Sequence, residues 1–371
     1  LNTTKLLAQK ISRMSTLRRL FTALAFSIST QGRVRAFVTV RYTTRPCQPA
    51  GRSLLGTGTR SSAALFRRGG VAFSGGAGRV SMAGAAIVGR GRIGNALFDM
   101  GGGKDTLIGR GDEVPDGEGP IYVCTRNDDL ENVISRTPVS RREDLVFLQN
   151  GVLRPLLEKH GLESNTQART TRQGGWMLCQ ALIYFAVSKK GETPLDGVTD
   201  ANPEGLNSTC GKWANEFKER LAKSGLTCHV LPEDRRDRTA LPRKRWRPSY
   251  TAKVFEKHIW ICAFMVCGAF HKCNIGEVEV NHSDEVRALI SEMQAAISAE
   301  YGVTFEEGVQ DRLCAYARSV AHYPAALKEY SWRNGFFWEI SAKAKKENKD
   351  DPCPLHSKLL QQVANEQGMT L

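Results

Sequence analysis

From Gly84 onward, short apolar runs alternate with amphipathic stretches. Gly84–Val88 predicts a short buried strand, and the glycines at 89, 91 and 94 follow it. A helix carrying Ala96, Leu97 and Met100 comes next, stopped by Gly101-Gly102-Gly103. Asp105–Gly109, Ile121–Thr125 and Asp144–Leu148 predict three more strands. The third strand runs into the polar helix start Asn127-Asp128-Asp129, and the fourth ends at Gln149-Asn150-Gly151. Met177–Val187 suits a further strand and Cys228–Leu231 another. Between them Cys210–Leu226 reads as a helix with Trp213, Phe217 and Leu221 inward. Strands alternating with helices predict an α/β part built on a parallel sheet with helices on its faces.

Pro242 to Pro248 breaks this pattern and marks a domain junction. Beyond about Thr251 the chain reads as all-helical, with helices over Ala252–Lys272, Ser283–Tyr301, Phe305–Ala321 and Leu327–Ala344. The stretch past Lys345 is charged and expected to be frayed, with a short helix at Leu355–Asn365. The organisation is therefore a leader over 1–81, an α/β domain over 82–250, a helical domain over 251–345 and a charged tail over 346–371. The longest apolar run of the body, Ile259 to Phe270, suits a buried helix; a membrane span needs about 20 residues.

Charge changes the picture once it is located. The 371 residues carry a formal net charge of +14, a value that suggests nucleic acid. Residues 1–81, however, hold 14 Lys and Arg and no acid, which leaves 38 basic residues against 38 acids in the remainder. A neutral body offers no basic face for phosphates, so no nucleic-acid partner is expected. The cluster Arg243-Lys244-Arg245-Trp246-Arg247 suits an anion contact or a solvated loop. The leader itself, rich in Arg, Ser, Thr and Gly, has the composition of an organellar transit peptide. Read from Met14, Arg18-Arg19 precede the apolar run Leu20–Ile28, as in a bipartite signal for a plastid; a mitochondrial presequence is the competing expectation. Cleavage would fall near Val80-Ser81-Met82-Ala83.

Ten cysteines without a C-x-x-C pair argue for reduced thiols. Cys267, His271 and Cys273 are close in sequence, and on a helix the first two would share a face. A fourth ligand is missing, so buried apolar cysteine is the expected state and no metal site is assigned.

Gly89-Arg90-Gly91-Arg92-Ile93-Gly94 sits between a predicted strand and a predicted helix, the context a dinucleotide-binding turn requires. The first glycine allows the tight turn, the second close approach of a pyrophosphate, and the third close helix–strand packing. The alternative is that these glycines merely turn the chain. Arg110, 21 residues past Gly89, stands where an acid would hold the ribose of NAD, and an arginine there suits the 2′-phosphate of NADP, although Asp112 lies nearby.

Four stretches in this order resemble ketopantoate reductase and its relatives. They are the Gly89–Gly94 turn, Leu148-Gln149-Asn150-Gly151, Lys257 through Cys273-Asn274-Ile275-Gly276-Glu277, and Glu329-Tyr330-Ser331-Trp332-Arg333-Asn334-Gly335. The resemblance covers about residues 84–345 in patches. It implies a Rossmann domain followed by a helical domain of the 6-phosphogluconate dehydrogenase type, binding NADPH. It implies Lys257 as general acid, Asn150 as a residue positioning cofactor and substrate, and Glu329 contacting substrate and lysine. Ser319 matches loosely a substrate-binding serine, and Arg126 stands where the family carries a lysine near the cofactor. Ile261, Met265 and Ile275 replace asparagines of the family. Read without the resemblance, Lys257 suits a solvated helix lysine like Lys253, Glu329 a surface charge and Asn150 a turn residue. The leading expectation is an NADPH-dependent reductase of a small keto acid or related carbonyl; a homodimer is left open. The rival is a dinucleotide-binding protein that has lost its substrate site.

Overall fold

The computed structural model describes residues 84–162, 179–231 and 250–371, with the backbone of two short strands, β1 (Phe26–Ile28) and β2 (Val34–Ala36), which pair antiparallel. The rest of the expected leader and the Pro242–Pro248 junction lie outside the described residues.

The α/β part runs β3 (Ala86–Val88), α1 (Arg92–Asp99), β4 (Thr106–Ile108), β5 (Ile121–Val123), α2 (Leu130–Arg136), β6 (Leu145–Phe147) and α3 (Arg154–Lys159). It continues through β7 (Cys179–Leu182), β8 (Ser208–Cys210), α4 (Ala214–Ala222) and β9 (His229–Val230). These seven strands form one sheet in the order β4-β3-β5-β6-β7-β8-β9. β3, β5 and β6 are buried along their whole length, which is why they read as continuous apolar runs. Alternate residues feed two cores. Ile87, Tyr122 and Val146 meet Leu97 and Phe217 on one face, and Val88, Val123 and Phe147 meet Ile134 and Leu157 on the other. After β4 the chain returns to the opposite side of β3 to lay down β5. This reversal is a topological switch point, and the Gly89–Gly94 turn lies at the C-terminal end of β3 beside it.

The sheet departs from the expected all-parallel pattern in one place, where β8 runs antiparallel to β7. The expected helix from Cys210 starts later, because Ser208, Thr209 and Cys210 form buried β8 instead. Thr209 hides its hydroxyl by donating to the Gln180 carbonyl at 2.9 Å, so a polar residue sits in the sheet without an unmet hydrogen bond.

The helical part comprises α5 (Tyr250–His271), α6 (Ile275–Asn281), α7 (Ser283–Tyr301), α8 (Val309–Ser319), α9 (Asn334–Lys346) and α10 (Pro354–Gln367). α5 is apolar on nearly every face because it is the central helix, wrapped by the others. α6 was not expected; a capping box between Asn274 and Glu277 opens it. α8 begins at Val309 rather than Phe305, since Gly308 takes φ +77°. The tail past Lys345 is not frayed: α10 buries Leu359, Leu360, Val363 and Ala364 in the helical core. Leu182, Tyr184, Leu206 and Cys210 of the α/β part share that core with α5, so Ala77–Leu371 form one unit. Among the described residues no helix is long and apolar enough to cross a membrane.

Candidate functional site

The three motif glycines each have a separate geometric reason. Gly89 takes φ +117°, and a Cβ there would come within 2.7 Å of the Cys124 carbonyl oxygen, just past the end of neighbouring β5. A Cβ on Gly94 would stand 1.8 Å from the Gly89 carbonyl oxygen, so only glycine lets α1 start this close to the strand. A Cβ on Gly91 would meet nothing within 4 Å: the turn leaves open space above it. Gly91 caps α1 without a side-chain acceptor, and the first turn holds no acid, so the positive end of the helix faces outward unneutralised. The cradle fits a dinucleotide pyrophosphate. Ile93 is half-buried against the sheet core, whereas Arg92 donates to the Val187 and Ser188 carbonyls at 3.1 Å and ties the turn to the segment after β7.

Past the end of β4, Arg110 is 86% exposed and lies 3.4 Å from Asp129. Asp112 is engaged: it accepts from the Gly109 amide at 2.8 Å and from Arg90 at 3.0 Å. Arg126 is exposed and 3.7 Å from Asp128.

The C-terminal ends of β5 and β6 meet the helical part through hydrogen bonds. Asn127, buried, donates its side-chain amide to the Asn150 carbonyl at 2.8 Å and its backbone amide to the Glu329 carboxylate at 3.2 Å. Glu329 also pairs with Arg333. Trp332 donates its indole to Asp128 at 3.2 Å, and Gly151 is confined by the Trp332 carbonyl oxygen, 2.5 Å from where its Cβ would stand. The expected helix over Leu327–Ala344 is broken by this docking. Glu329 adopts φ +48°, a single turn of 3₁₀ helix follows at Tyr330–Trp332, and α9 starts only at Asn334.

Lys257 is not a solvated lysine. It is 6% exposed, donates to the Ile183 carbonyl at 2.9 Å, and lies 3.8 Å from the Tyr184 ring centre and 5.1 Å from that of Tyr316. The Tyr184 segment is itself fixed, since the Tyr184 and Phe185 amides donate to Asn207 and the Tyr316 hydroxyl donates to the Tyr184 carbonyl. Burial, and then the positive charge of Arg333, bring the Lys257 ammonium down to about 7. The resemblance sets Glu329 against the lysine, and in the structure the hydrogen bonds of Glu329 go elsewhere. Its carboxylate serves Asn127 and Arg333, and Arg333 is the charge that Lys257 feels.

Asn150, Asn127, Glu329 and Arg333 thus form a hydrogen-bonded series at the C-terminal edge of the sheet, and the Arg333 charge acts on Lys257. Ser319 is outside it; exposed at the end of α8, its hydroxyl donates to the Tyr316 carbonyl of its own helix. Ile261 and Ile275 are buried in the helical core, and Met265 packs against it. Asn127, Arg333, Tyr184 and Tyr316 escaped the sequence reading. Only Arg333 carried a signal, its place between Glu329 and Asn334.

No family model matches this chain, and no curated protein matches it. Solved structures do. The 2-dehydropantoate 2-reductase of Methylococcus capsulatus superposes with a TM-score of 0.52 at 11% identity, covering 78% of this chain and 98% of that one. D-mandelate dehydrogenase, solved in complex with NADH, superposes with a TM-score of 0.50 at 17% identity, covering 77% and 99%. At such identities the likeness speaks for the fold. The chain has the ketopantoate reductase-like fold, a Rossmann sheet joined to a helical part, in a strongly divergent sequence.

Proposed function

We propose that the protein is an oxidoreductase that binds NADPH on the Gly89–Gly94 turn and reduces a small keto acid or related carbonyl, with Lys257 as the proton donor. The observation that carries this reading is Lys257 itself, a buried lysine brought down to about 7, bonded to the Ile183 carbonyl just past β7 in a sheet that carries a dinucleotide cradle. The nicotinamide supplies the hydride. As negative charge grows on the carbonyl oxygen, an ammonium near neutrality gives up its proton readily. Arg333, next along the series, suits the carboxylate of a keto acid, for which planar two-point pairing is the strong mode. The Tyr184 and Tyr316 rings hold the ammonium against their faces and keep water from it. Asn127 keeps the Asn150 loop in place.

Arg110 supports the choice of NADPH over NADH. Asp112, the acid that would hold ribose hydroxyls, is already satisfied by Arg90 and Gly109, while Arg110 presents its guanidinium to solvent. Titration of the full chain with each nucleotide tests this. Arg110→Ala should weaken NADPH by about tenfold, roughly 1.4 kcal/mol, and leave NADH unchanged. An equal loss for both nucleotides would contradict the assignment. A second reading, a dinucleotide-binding protein without catalysis, is favoured by Ile261 and Ile275, apolar and buried where hydrogen-bonding residues would hold a polar substrate.

A further inference from the structure

Away from the sheet, the last turn of α5 and the first turn of α7 bring three metal-ligating side chains together. Cys267 and His271 stand four residues apart on one face of α5, and Glu285 reaches them from α7. The His271 Nε2 lies 2.6 Å from a Glu285 carboxylate oxygen, and the Cys267 Sγ lies 3.5 Å from the same oxygen. All three donor atoms lie within 4.8 Å of one another. The His271 ring is held flat against that of His282, with centres 3.5 Å apart and planes at 13°. His271, His282 and Glu285 border a solvent-connected cavity of about 410 Å³, while Cys267 is wholly buried behind them.

We propose that Cys267, His271 and Glu285 form a binding site for a divalent metal ion of the zinc class, with a water from the cavity as fourth ligand. One thiolate, one imidazole and one carboxylate is a donor set suited to zinc, and three protein ligands with an open fourth position is a stable arrangement for it. Bond lengths of about 2.0–2.3 Å place tetrahedral donors about 3.3–3.8 Å apart. The Cys267–Glu285 separation already falls there, and His271 and Glu285 need to part by under about 1 Å. Without a cation the carboxylate accepts from both neighbours. A divalent ion deprotonates a coordinating thiol, whose proton leaves to solvent. The ion would pin the end of α5 to the start of α7 across α6. Sequence spacing set Cys273 beside Cys267 and His271; the fold brings Glu285 to them as third ligand.

The test is zinc titration of the chelator-treated full chain against a chromophoric competitor, with Co²⁺ as a second probe. The proposal expects one tight site per chain and a thiolate-to-cobalt charge-transfer band. Cys267→Ser should abolish the band, and His271→Ala and Glu285→Gln should each weaken zinc by at least about 100-fold, beyond the 10–100-fold that loss of an outer partner costs. Wild-type affinity in all three variants, or no tight site in the wild type, overturns it. Should a variant fail to fold, X-ray absorption of the zinc-loaded wild type decides. One sulfur with nitrogen and oxygen ligands supports the site; a shell without sulfur, or with several sulfurs, overturns it.

Discussion

At the scale of the residue, Lys257 shows how burial sets chemistry. On the helix pattern it is indistinguishable from Lys253, one turn earlier, yet Lys253 pairs with Glu256 and Glu306 whereas Lys257 meets only a carbonyl and aromatic rings. No carboxylate opposes the cost of burying its charge, so its ammonium comes down to about 7. A proton donor of this kind fails as pH rises through that value, so kcat for reduction should fall there. Arg333→Gln removes the second cause of the shift and frees Glu329 from its partner. The alkaline limb of the kcat profile should then move to higher pH; an unmoved limb would show that Arg333 does not act on the lysine.

At the scale of the element, the Rossmann strands were legible because β3, β5 and β6 are buried on both faces and so are apolar throughout. The Gly89–Gly94 turn was legible because its glycines answer local steric demands. What could not be read depends on distant partners. β8 is three residues long, and its polar Thr209 is made tolerable by a hydrogen bond to β7. The break before α9 follows from Glu329 reaching the Asn127 amide, 202 residues away in sequence. α10 looked too charged to pack, but its apolar residues at 359, 360, 363 and 364 recur at helical spacing and lie in the core. Leu360→Ala should cost about 2–5 kcal/mol in urea unfolding, as for a core leucine. A loss under about 0.5 kcal/mol, typical of a surface site, would place α10 outside the cooperative unit.

At the scale of the whole molecule, two buried histidines tie stability to pH. Burial holds His258 down to about 3 and His356 to about 4, both below the usual 6.5. The unfolded chain therefore binds more protons than the folded one between those values. Stability should be fully present above about pH 6.5 and lost as pH falls toward 4, by on the order of a few kcal/mol. Urea midpoints at pH 7 and pH 5 measure it. His356→Gln, which retains a donor for Asn334, should flatten the loss; an unchanged slope would place its origin elsewhere.

The proposed reduction needs one molecule to combine a dinucleotide cradle with a lysine that donates a proton. The most direct measurement mixes the full chain with NADPH and a panel of 2-keto acids and follows loss of the nicotinamide absorbance, beside Lys257→Met. Consumption is expected with at least one keto acid, slowed by about 10²–10⁴-fold in the variant, with NADPH binding retained. NADPH that binds but is never consumed, or is consumed equally fast without Lys257, would contradict it.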